Sequence, residues 1–157
     1  MWCLKLLLII VFAIILYQDF KNRLVYWFLY PIVGILAFAI QLSIVPLTIV
    51  VFNTGFNLLF VFLILGVSFF YTRFRNINFQ NAIGIGDVLF FIFICCTFSI
   101  VSFFVLFVFS LLFSLILHFV LNNKENRTVP LAGYMSLFFG AVYIMTFLYN
   151  STFLYAY

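Results

Sequence analysis

Charge is what this sequence has least of. Of 157 residues only 6% are Asp, Glu, Lys or Arg, and just three of those are acidic. A soluble domain carries about a quarter charged residues, so a water-facing surface of ordinary composition is excluded. Histidine occurs once, and the three cysteines, Cys3, Cys95 and Cys96, include no CxxC pair and no ligand at metal-binding spacing. A zinc or redox centre built on cysteine is therefore not expected, nor is any cofactor. Adjacent residues on a helix diverge in direction, so Cys95 and Cys96 read as separate buried or lipid-facing thiols. Proline occurs three times and glycine seven, too few for linkers between domains, and a single domain over residues 1–157 is the reading.

What fills the chain is apolar: 69% of residues, with 26 Phe and 9 Tyr and a mean hydropathy of +1.38. A hydrocarbon core of roughly 30 Å takes about 20 apolar residues per helix. Runs at 4–17, 26–44, 46–70, 87–100, 101–121 and 130–150 predict six transmembrane helices in an all-α polytopic bundle. The division between the fourth and fifth runs rests on length, because residues 88–121 are almost continuously apolar, with Thr97, Ser99 and Ser102 marking the turn. Pro46, after Ser43, predicts a tight turn between the second and third. The first run resembles a signal peptide but lacks a small-residue cleavage site and ends in a charged loop, so it is expected to stay as a helix.

The seven basic residues are unevenly placed. Lys21 and Arg23 follow the first helix, Arg73 and Arg75 the third, and Lys124 and Arg127 the fifth. All six fall on one side of a six-span bundle, which by the positive-inside bias is cytoplasmic and leaves the N-terminus outside. The +4 formal charge is thus read as orientation and headgroup contact, and not as a nucleic-acid footprint. Lys5 is expected to snorkel to the outer interface.

The three acids are unequal. Glu125 lies in NNKENRT, where a solvated ion-pairing role suffices. Asp19 and Asp87 stand at the edges of apolar runs, one closing the first helix and one opening the fourth, where an ionisable side chain costs free energy and so marks a functional position. The topology puts both on the cytoplasmic face. Should they meet, like charges a few ångströms apart do not both ionise, and the pair becomes an acid and a base. The base would take a proton from a water attacking a peptide carbonyl, while the acid polarises the carbonyl oxygen and assists the leaving amine. Before Asp87 stand Gly84 and Gly86, which allow close backbone approach; the plainer reading is a turn with Asp87 as N-cap.

These residues resemble the type IV prepilin peptidases and archaeal preflagellin peptidases, the GxGD class of membrane aspartic proteases. Gly84-Ile85-Gly86-Asp87 matches that family's second motif, and Asp19 in DFKNRLV matches its first aspartate, ending helix one in a basic loop. NNKENRTVPLAGYMSLFFG, through Pro130, resembles its last loop and helix. The resemblance implies an endopeptidase in a bacterial or archaeal cytoplasmic membrane, using Asp19, Asp87 and a water to cut the short basic leader of prepilin-like precursors. Two departures stand out: Val25-Tyr26-Trp27 replaces Ile-Pro-Asn, and Leu89 replaces a lysine. Residues 18–25 leave no room for the zinc-binding methyltransferase insert that some members carry. The signal-peptide-peptidase branch pairs its motif with Tyr-Asp, which Tyr17-Gln18-Asp19 breaks.

Two other classes fit less well. An ion-coupled carrier would set its acids near the midplane and not at one edge, and a non-catalytic scaffold relative would keep the fold with the two departures. Among the remaining polar residues, His118 reads as an interface hydrogen-bonder, Asn53 and Asn57 as interhelical glue, and Gln80 and Asn81 as loop residues near the substrate path.

Overall fold

The computed structural model of the chain describes residues 1–75, 83–121, 130–148 and 153–156. Every regular element among them is a helix: α1 Trp2–Asn22, α2 Leu29–Leu42, α3 Leu47–Phe74, α4 Ile85–Ile94, α5 Ile100–Val120, α6 Leu131–Leu148 and a single turn, α7, Phe153–Ala156. Glu125, Lys124, Arg127, Gln80 and Asn81 lie outside the described residues.

Three helices, α1, α3 and α5, are long and apolar enough to cross a membrane. The other apolar helices are shorter. At 10 residues α4 rises only about 15 Å, half of a hydrocarbon core.

The prolines explain several helix starts. Pro31 lies in the first turn of α2 and Pro46 is the N-cap of α3. The carbonyl of Pro130 accepts the amide of Tyr134, opening α6. A proline at a helix entrance gives up a hydrogen bond that the first turn does not make. The expected turn at Pro46 is there, closed on the α2 side by the Ser43 hydroxyl donating to the Ile40 carbonyl at 2.6 Å.

Helices α1 and α5 each hide one stripe and offer the rest of their apolar surface outward. In α1 the stripe is Lys5, Leu8, Phe12, Ile15 and Asp19; in α5 it is Phe103, Phe107, Ser110 and Ser114. Both follow the 3.6-residue period. Outside the stripes, Phe109, Leu112, Leu115 and Ile116 of α5 are exposed, as lipid-facing positions would be.

The most extensive packing joins α1 to α6, and their polar contacts show that they run antiparallel. Lys5, near the start of α1, donates to the Thr146 hydroxyl (3.0 Å) and carbonyl (3.4 Å) near the end of α6. Asp19, near the end of α1, accepts from Gly133 near the start of α6. The expectation that Lys5 snorkels outward is therefore corrected: its stem lies in the interface, and its ammonium satisfies carbonyl and hydroxyl oxygens at the last turn of α6, where a cation is favoured. Between these ends Phe12 stacks with Phe139 at a ring separation of 6.5 Å.

The break between the fourth and fifth helices falls at 95–99, earlier than the 100/101 boundary expected from length. It is stabilised from outside. Asn57 of α3 donates its side-chain amide to the carbonyls of Cys95 (2.9 Å) and Phe98 (3.0 Å). Both the amide and the hydroxyl of Ser99 donate to the Leu154 carbonyl in α7 at 3.1 Å. Backbone freed from a helix in an apolar medium survives only when such partners replace the lost bonds.

Candidate functional site

Both sequence-predicted aspartates come to one place, the N-terminus of α6. The backbone amide of Gly133 donates to Oδ2 of Asp19 at 2.6 Å, and the adjacent amide of Ala132 donates to Oδ1 of Asp87 at 2.9 Å. Added to the reach of one residue of backbone, these bonds keep the two oxygens within about 9 Å of each other. The first amides of a helix have no intrahelical acceptor and carry the positive end of its dipole. Here they hold two carboxylates from two other helices.

Local sequence explains the convergence. Asp19 closes the buried stripe of α1 and is 8% exposed. The chain then leaves the helix through Arg23, the one described non-glycine residue with a left-handed backbone (φ 55°), whose amide returns to the Asp19 carbonyl. Arg23 also brings a positive charge within reach of the Asp19 carboxylate.

Asp87 is not the N-cap of its helix; that position belongs to Gly84, and Asp87 sits in the first turn. Its Oδ2 folds back toward Gly84, whose amide helps to hold it. The other oxygen is then free to reach α6.

The glycines make room for these side chains. A Cβ on Gly133 would stand 2.9 Å from Oδ2 and 3.0 Å from Cβ of Asp19, and one on Gly84 would stand 3.1 Å from Oδ2 of Asp87. A Cβ on Gly86 would come within 2.7 Å of the Tyr30 hydroxyl oxygen. The two motif glycines thus do different things: Gly84 admits the aspartate itself, and Gly86 admits a phenol from α2.

Asp19 is buried and Asp87 half-buried, while Gly84 and Ile85 are exposed. The exposed surface next to the pair is the start of α4. Of the departures from the resembled motif, Tyr26 and Trp27 are exposed, and the amide of Tyr26 donates to the Gln18 side chain at 3.1 Å, which fastens the loop to α1. Leu89 packs against the apolar core. His118 lies in the last turn of α5 beside the Phe119 ring. Two contributors escaped the sequence reading, Tyr30 and Gly133. Gly133, third after Pro130 at a helix start, had a detectable signal; Tyr30, one of nine tyrosines, had none.

No family model, curated protein or solved structure matches this chain.

Proposed function

We propose that the protein is a membrane-embedded aspartic endopeptidase that cleaves the leader of prepilin-like precursors at the cytoplasmic face, with Asp19 and Asp87 as its catalytic pair. The observation that carries this reading is the seating of both carboxylates on consecutive amides of one helix N-terminus, one of the two, Asp87, coming directly after Gly84-Ile85-Gly86. Each acid lies within reach of the other's charge, so ionising one disfavours ionising the other. The ionised member deprotonates a water held between them. Its partner polarises the peptide carbonyl and then protonates the departing amine. The pair ends with one proton, as it began, now on the other carboxyl. No metal or cofactor takes part.

In this reading all six longer helices traverse or enter the bilayer, the N-terminus faces outward, and the site opens to the cytoplasm of a bacterial or archaeal cell. An extended precursor segment approaches over Gly84 and Ile85, the exposed side of the pair. Its leader is cut just before the hydrophobic stretch that remains in the membrane.

The test is cleavage of a tagged prepilin-like precursor by the full-length protein in lipid. Asp19→Asn and Asp87→Asn keep size and lose the acid, and each should reduce cleavage by about 10³-fold or more while membrane insertion is unchanged. Wild-type processing by either variant would sink the paired-acid mechanism. Ion flux through wild-type proteoliposomes, lost in the same variants, would instead identify a carrier.

A further inference from the structure

Tyr30 brings a hydroxyl up against Gly86, the neighbour of Asp87. It lies in the first turn of α2 and is 2% exposed, its ring meeting the edge of Phe90 at 6.3 Å. A phenol buried this far places its hydroxyl where a polar partner waits. That hydroxyl rests on the α-carbon of Gly86, the residue before Asp87, at a spot any side chain would fill. The charges of Asp19 and Asp87 both reach it. Two elements therefore deliver three donors near the acids: the amides of Ala132 and Gly133 from α6, and the phenol from α2, beside Gly86.

The three donors are not equivalent. The two amides are engaged by the carboxylates, which leaves them poorly placed to receive a further negative charge. An ordinary phenol, with a pKa of about 10, still carries its proton at neutral pH and can donate. Adding water to a peptide carbonyl creates such a charge, and preorganised donors aimed at it are among the largest contributions to acyl-transfer catalysis.

We infer that the Tyr30 hydroxyl is a third catalytic group, donating the hydrogen bond that holds the oxyanion formed as water adds to the scissile carbonyl; this rests on the peptidase reading of Asp19 and Asp87. In the addition step the water oxygen bonds to the carbonyl carbon, one water proton passes to the ionised carboxylate, and the carbonyl π pair moves onto oxygen. Tyr30 and the protonated carboxyl hold that oxygen. On collapse the C–N bond breaks, nitrogen takes the proton of the second carboxyl, and the electron pair returns to re-form C=O. Tyr30 keeps its own proton throughout. Gly86 has a corresponding role, because it is the opening through which the phenol reaches the site.

The experiment uses the full chain in lipid nanodiscs and a prepilin-like precursor peptide. Tyr30→Phe keeps the ring and its contact with Phe90. It should lower kcat by about 10²-fold, change KM by less than about twofold, and leave both limbs of the pH profile and the melting temperature in place. Gly86→Ala should displace the phenol and lower kcat similarly, with the double variant no slower than Gly86→Ala alone. Unchanged kcat in Tyr30→Phe overturns the inference, as does a loss that appears only as a displaced pH limb, or two losses that multiply. An inactive but folded wild-type protein would remove the peptidase reading and this inference with it. An active wild type with an indifferent Tyr30→Phe removes this inference alone.

Discussion

At the scale of single residues, the site depends on side chains that are missing as much as on those present. Gly133 and Gly55 both lie within helices, yet a Cβ meets Asp19 at 2.9 Å on the first and nothing within 4 Å on the second. Gly133→Ala is therefore expected to cost about 1–3 kcal/mol by overpacking and to cut cleavage at least tenfold by displacing the Asp19 carboxylate. Gly55→Ala should leave cleavage unchanged. Chemical unfolding in detergent beside the cleavage assay checks the pair. The aspartates were legible in the sequence because acids are so rare that each needed a reason. Tyr30 was not, and Gly133 only through its place three residues after Pro130, because what singles both out is which group from another helix stands opposite. Lys5 was misread for the same reason: length and charge describe where a lysine can reach, whereas Thr146, 141 residues away, decides where it does.

At the scale of elements, hydropathy located the long helices and blurred the division between α4 and α5. Residues 88–121 offer only Thr97, Ser99 and Ser102 as hints, and the first two fall within the break at 95–99. The determinant lies in α3, where Asn57 is fully buried and bonds the carbonyls of Cys95 and Phe98. The sequence reading placed Asn57 correctly as an interhelical hydrogen-bonder. Its partner is backbone at a helix break, however, which no pattern of side chains announces. Asn57→Leu should destabilise the fold by about 2 kcal/mol or more by orphaning two buried carbonyls. An earlier midpoint in an unfolding titration, with the Asp19 and Asp87 end of the bundle still native by cleavage at low denaturant, is the expected result.

At the scale of the whole molecule, Asp19, Asp87 and the first turn of α6 gather at one end, while Lys5 and Thr146 lie toward the other. The order of helices was readable from the sequence alone. The antiparallel pairing of α1 with α6, the first long helix with the last, was not, because nearly uniform apolar surfaces leave the choice of neighbour to a few polar residues and glycines. The native thiols offer a test of the proposed orientation: Cys3 is exposed, Cys95 is buried and Cys96 is half-buried. A membrane-impermeant maleimide added to intact cells should label Cys3, and Cys3→Ser should abolish that labelling; labelling that requires permeabilised cells would reverse the orientation. The amides of Ala132 and Gly133 have one more consequence. Since a single peptide unit links the two donors, the two hydrogen bonds and that unit together cap the gap between the acids. Helices α1 and α4, far apart in sequence, are thereby spaced at this end by a third helix, so whatever shifts the first turn of α6 shifts both carboxyls together.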